Sequence, residues 1–147
     1  MKRITFSIVW LSLLLFLTGC ATTSMQNSYV SPLPANDAIS ISRAITDFLS
    51  TQWPPASSTV LLVPPEKGQD NNVLTPVLTQ TLIKTGFAIG NSNQDVSGAH
   101  RLQYWVTPLG QGILVRLTLD NTTQASCFYG RDATGNLQAG SPFTVRK

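Results

Sequence analysis

The apolar positions of this chain change period several times, and each change predicts a different element. Residues 4–17 form an apolar run broken only by Thr5, Ser7 and Ser12, with Lys2 and Arg3 in front of it. The run is shorter than the roughly 20 residues a helix needs to cross a bilayer. Its charged start and the small residues at its end have the form of a secretory signal peptide over residues 1–19. Residues 21–35 show no period, and polar side chains punctuated by Pro32 and Pro34 predict a linker that cannot bury a face. A helical period then sets in. Ala38, Ile41, Ala44, Ile45, Phe48 and Leu49 share one face, with Asp37 as N-cap and Trp53-Pro54-Pro55 as the stop.

The run Thr59-Val60-Leu61-Leu62-Val63 is continuously apolar between Ser57-Ser58 and Pro64-Pro65, as a strand buried on both faces would be. A polar loop over residues 66–71 precedes a second helix over residues 72–85. Leu74, Val77, Leu78, Leu82 and Ile83 are its expected core face, and Pro76 is tolerable only in its first turn. Thr75 is a rival N-cap, and Gly86 supplies the C-terminal stop. Phe87-Ala88-Ile89 is a short strand. From residue 101 the period becomes two. Leu102, Tyr104 and Val106 alternate in one strand, Ile113, Val115, Leu117 and Leu119 in the next, and Ala125, Cys127 and Tyr129 in a third. A last short edge strand is expected at Phe143-Thr144-Val145. Turns at residues 108–112, 120–122 and 132–136 make this an antiparallel meander.

Helices early and strands late predict a two-layer α+β fold. Two helices would pack on one face of a mostly antiparallel sheet of about five to six strands. The expected division is a signal peptide over residues 1–19, a linker over residues 20–35 and a globular domain over residues 36–147. The sheet face away from the helices would carry Arg101, Gln103, Trp105, Thr107, Leu114, Arg116, Thr118 and Phe128. If Trp105, Leu114 and Phe128 lie close together they form an apolar patch of the kind that marks interfaces; alternatively the linker or the first helix covers them. Tyr29, Val30 and Leu33 are candidate anchors should the linker order on a partner.

Charge changes the picture only a little. The chain has ten Lys and Arg against seven Asp and Glu, and removing Lys2 and Arg3 with the signal leaves eight against seven. A domain so near neutrality shows no basic cluster on which to expect direct nucleic-acid binding. Catalytic and metal chemistry find no constellation. His100 is the one histidine, with no nucleophile or ligand partner at useful spacing. Six of the seven acids fall at caps, loops and turns, where short polar side chains serve the backbone. The two cysteines do not make a metal set, so no cofactor or metal is expected. Cys127 reads as a small buried residue in a strand, or as half of an intermolecular disulfide in an oxidising compartment.

Leu17-Thr18-Gly19-Cys20 resembles the lipobox of bacterial lipoproteins. The resemblance implies a diacylglyceryl group on the Cys20 thiol, cleavage after Gly19 and acylation of the new amino terminus. With two or more chains such an anchor is stable. By resemblance to enterobacterial sorting, Ala21 implies the outer membrane, with the domain facing the periplasm.

The pieces in order also resemble the TrbH family of small lipoproteins encoded with conjugation systems. They are the lipobox, Trp53-Pro54-Pro55-Ala56, Leu82-Ile83-Lys84-Thr85-Gly86-Phe87-Ala88-Ile89, Leu102-Gln103-Tyr104-Trp105-Val106, Val115-Arg116-Leu117-Thr118-Leu119, and Leu137-Gln138-Ala139-Gly140 leading to Val145-Arg146-Lys147. The chain departs from the family in having Trp53 where tyrosine is usual, and in a less charged second helix. The resemblance implies a non-enzymatic subunit that anchors and stabilises the outer-membrane core complex of a type IV secretion apparatus. Its partners would be the other subunits of a hetero-oligomeric ring, and its hold on the membrane would be the lipid on Cys20. A stand-alone surface-exclusion lipoprotein and a periplasmic regulator of an envelope synthase are the alternative readings.

Overall fold

A computed structural model describes residues 27–66, 72–138 and 140–147. The signal peptide, the lipobox with Cys20, the first part of the expected linker and residues 67–71 of the polar loop lie outside the described residues. In chain order the elements are β1 (Tyr29–Val30), α1 (Ala35–Gln52), a 3-10 turn (Pro55–Ser57), β2 (Thr59–Leu62), α2 (Leu74–Thr85), β3 (Ala88–Asn91), β4 (His100–Leu109), β5 (Gly112–Leu119), β6 (Thr123–Tyr129) and β7 (Thr144–Arg146). The fold is α+β. Its seven strands form one open sheet in the order β3-β2-β4-β5-β6-β7, with β1 also on β4.

The longest ladders are antiparallel, β4 with β5 and β5 with β6, and β7 continues the meander at the edge. The early strands pair in parallel, β2 with β3 and both β2 and β1 with β4. The seventh strand is β1, which belongs to the stretch read as a linker. The sheet therefore takes up residues ahead of position 36, at Tyr29 and Val30. A two-residue strand is too short to show a period, which is why polarity alone made it read as coil.

The role of β1 follows from what β2 cannot do. β2 covers β4 only at His100, Arg101 and Leu102, and the last bond of that edge runs from the Val63 N–H to the Leu102 carbonyl at 3.0 Å. Pro64 and Pro65 come next and have no N–H to donate. The chain leaves β4 there, and β1 takes over at Trp105 and Val106. Ser28 fills the gap between them. Its hydroxyl donates to the Val63 carbonyl at 2.6 Å and accepts the Tyr104 N–H at 3.1 Å. Its own N–H reaches the Pro64 carbonyl at 3.2 Å. Ser28 is buried, so each of these groups would otherwise be an unsatisfied polar atom in the interior.

One core holds the helices to the sheet. Ala38, Ile41, Ile45 and Leu49 of α1 and Leu74, Leu78 and Leu82 of α2 join Leu102, Tyr104, Val106, Val115, Leu117, Ala125 and Cys127 in a single buried cluster. Ile83, expected on the core face of α2, is 54 % exposed. The inward stripe is the i, i+4, i+8 row of Leu74, Leu78 and Leu82, and Ile83 falls one position off it. Burial pushes the Tyr104 phenol up to about 12, and its hydroxyl shares a 2.7 Å hydrogen bond with Thr75 that opposes the shift. Phe143 stacks on Phe48 of α1 with ring centroids 4.7 Å apart, which seats the approach to β7.

The helix ends differ from the expected capping. α1 begins at Ala35 behind Pro34, with no side-chain cap. Asp37 lies inside its first turn, buried, with Oδ2 accepting from the Arg131 guanidinium at 2.6 Å. α2 is capped by Asn72, whose Oδ1 accepts the N–H groups of Leu74 and Thr75. Thr75 itself is in the first turn. Gly86 closes α2 in the left-handed region at φ 108°.

Ser28→Ala is expected to lower stability by about 1–3 kcal/mol, since it leaves the Tyr104 N–H and the Val63 carbonyl without their partner. Urea unfolding checks this as a fall in midpoint at unchanged slope.

Candidate functional site

The face of the sheet opposite the core is built by the same alternation that builds the core. Registered pairs place its side chains in rows across the strands. One row runs Tyr29, Trp105, Arg116, Ser126, Thr144. The next runs Gln103, Thr118, Gln124, Arg146. On the other side of the Trp105 row lie Thr107, Leu114 and Phe128.

The three residues expected to form a patch are neighbours in a stepped arrangement. Leu114 and Phe128 are directly opposed, and Trp105 sits one row away. Trp105 and Leu114 are half-buried and Phe128 is 43 % exposed. The Phe128 ring lies across Gly112, where an added Cβ would come within 2.4 Å of its Cζ. Only a glycine leaves room for the ring to lie down on the sheet.

The proposed linker anchors divide. Val30 is buried in the core and Leu33 packs partly against it. Tyr29 is 44 % exposed and stands in the outer row beside Trp105. The first helix does not cover this face, because its buried residues belong to the core cluster with the inward side chains of β4, β5 and β6.

Beside the apolar residues the sheet forms a concave cavity of about 800 Å³. Arg101, Arg116 and Arg146 line it together with Gln103, Trp105, Asn121 and Gln124. No Asp or Glu is among its lining residues. Arg101 gives one Nη1 hydrogen bond to the Ser92 carbonyl at 3.3 Å, and its Nε is buried with no partner among the described residues. Composition hid this cluster. The three arginines are dispersed in sequence and in net charge, and only the β4-β5-β6-β7 register brings them to one surface. Their place on the outward face was readable from the alternation of β4 and β5; the contribution of Arg146 from the edge strand was not.

The residues with reactive potential are in structural roles. His100 stacks on Trp53 at 4.1 Å between ring centroids, and its Nδ1 is 3.0 Å from Asp120 Oδ2. Asp120 also accepts the Arg101 backbone N–H at 2.7 Å. Cys127 is a buried free thiol, as expected of a small strand residue, with Sγ 2.8 Å from the Ser141 carbonyl. Burial pushes its pKa up, with a hydrogen bond to Tyr129 opposing, and burial likewise raises that of Tyr129. The Asp132 carboxyl is held below its usual value by hydrogen bonds from Thr134 and the backbone of its own turn. Among the described residues no group of three or more His, Cys, Asp and Glu is placed to hold a metal ion, and no helix is long and apolar enough to cross a membrane.

The family model for the conjugal transfer protein TrbH matches residues 21–147. The chain belongs to the TrbH family. That gives it a role in conjugal transfer by type IV secretion and an association with the cell envelope, in a family that is not one of enzymes. The match starts at Ala21, ahead of β1, so the family unit includes the segment that completes the edge of β4. Neither the comparison with curated proteins nor that with solved structures finds a match.

Arg116 and Arg146 are exposed and lie in no ion pair among the described residues. The pair of substitutions Arg116→Gln and Arg146→Gln is expected to change stability by less than about 0.5 kcal/mol per site, read as an unmoved urea midpoint.

Proposed function

We propose that this TrbH-family chain is a lipid-anchored docking subunit of the outer-membrane core complex of a conjugal transfer apparatus. Lipid on Cys20 holds it to the outer membrane, with the domain on the periplasmic side. The domain is a two-layer platform, with both helices on one face of the sheet and the other face turned towards the neighbouring subunits of a hetero-oligomeric ring. It stabilises that ring by contact and performs no chemistry on a substrate.

The observation that carries this reading is the outward row of Tyr29 and Trp105 beside the pair of Leu114 and Phe128. Rings and an aliphatic side chain, half-buried or exposed, sit on a sheet face that none of the core residues occupies. Aromatic residues of this kind, apolar but rigid, are the usual anchors of protein interfaces. The Leu17-Thr18-Gly19-Cys20 motif supplies the membrane half of the argument.

Two outcomes test it. Cys20→Ser is expected to leave the circular dichroism of the domain unchanged and to move the protein out of the membrane fraction; fractionation with the outer membrane as before would remove the anchor. Trp105→Ala is expected to cut co-isolation of the transfer complex from detergent-solubilised membranes while costing about 1 kcal/mol of stability or less. A loss of about 3–5 kcal/mol, the range for a core aromatic, would place Trp105 in the core and end its role as an anchor.

A further inference from the structure

We propose that the cavity lined by Arg101, Arg116 and Arg146 is a binding site for an extended, acidic polypeptide segment of a partner protein. The proposal rests on the reading of this face as a docking surface and adds the chemistry of what docks there.

Charge is the first argument. Three guanidiniums line one concavity with no carboxylate among them. Among the described residues Asp37 is paired with Arg131, Asp120 with His100 and the Arg101 N–H, and Asp132 with its own turn. Like charges gathered without counter-charge are held against their mutual repulsion, and a bound anion relieves it. Arginine is also the residue whose planar fork matches a carboxylate with two parallel hydrogen bonds.

Arg101 contributes charge to the cavity rather than a free donor. Its Nη1 is committed to the Ser92 carbonyl and its Nε is buried, so a ligand in the cavity meets the exposed Arg116 and Arg146 first.

Spacing allows more than one carboxylate to be met at once. Arg116 projects from β5 and Arg146 from β7, two strands and one row apart. Strand spacing and rise put their backbones roughly 10–15 Å from each other. Their side chains can converge on one anion or spread over several, and on a face read as a docking surface for protein the fitting occupant is an extended segment with several carboxylates. Asn121 and Gln124, also in the lining, offer both donors and acceptors to the peptide groups of such a segment. A single strand of nucleic acid fits less well, since its binding surfaces interleave cations with successive stacking rings, and Trp105 is the one ring that lines this cavity.

The test uses the full-length protein in detergent and a fluorescent short oligo-glutamate, read by anisotropy at low salt. Saturable binding is expected, weakened by added salt and weakened about tenfold or more by Arg116→Gln with Arg146→Gln, as loss of two charge-assisted pairs implies. Oligo-glutamine should not bind. Absence of saturable binding, affinity unchanged in the double variant, or an oligo-thymidylate that binds as tightly as oligo-glutamate would each overturn the proposal, the last in favour of nucleic acid. The two readings fail separately. If oligo-glutamate does not bind but Trp105→Ala still releases the transfer complex, the docking surface stands and the acidic ligand falls. If oligo-glutamate binds as described and no complex co-isolates with the wild-type chain, the cavity stands and the docking role falls.

Discussion

The long strand β4 must have both of its edges hydrogen-bonded, and the rest of the molecule follows from how that is met. One edge is covered by β5 over eight registered positions from Leu102 to Leu109. The other is covered in two pieces, because the strand that starts the job runs into Pro64 and Pro65. β1 finishes it, and a serine hydroxyl bridges the seam. A buried backbone group without a partner costs on the scale of a lost hydrogen bond or more, so the seam is as much a part of the fold as the core beneath it. The core residues Leu102, Tyr104 and Val106 face inward only because β4 is pinned in this register on both sides.

The same pinning produces the outer surface. A strand whose inward positions are fixed has its outward positions fixed as well. Trp105 faces away from the core because Tyr104 and Val106 face into it. Arg116 and Thr118 stand where they do because Val115, Leu117 and Leu119 fill the core. The outward face and the core are therefore two readings of one alternation, and a register slip would destroy both together. The Leu114–Phe128 pair, the row of Tyr29 and Trp105, and the basic cavity follow one another across it without a change of secondary structure.

Much of this could be read from the residues. The 3.6 period of Ala38, Ile41, Ile45 and Leu49 and the two-residue period of β4, β5 and β6 gave the helices, the meander and the outward set that includes Trp105, Leu114, Arg116 and Phe128. Three features could not be read there, for different reasons. β1 is shorter than any period, and its pairing depends on a gap left by prolines more than thirty residues away. The parallel pairing of β2 and β3 has no local signature, since a continuous apolar run fits any buried strand. The arginine cavity depends on register between strands well apart in the chain, and a near-neutral composition conceals charges that the fold then gathers. Asp37 shows the same limit at small scale: a reasonable capping residue by its position, it is instead committed to Arg131, ninety-four residues on.

The position of β1 also settles where force enters the domain. A load applied at Ser28 falls on β1 and on the hydrogen bonds that close the edge of β4 before it reaches either helix. The chain is thus clamped at Ser28 within the sheet rather than hung from one of its outer strands.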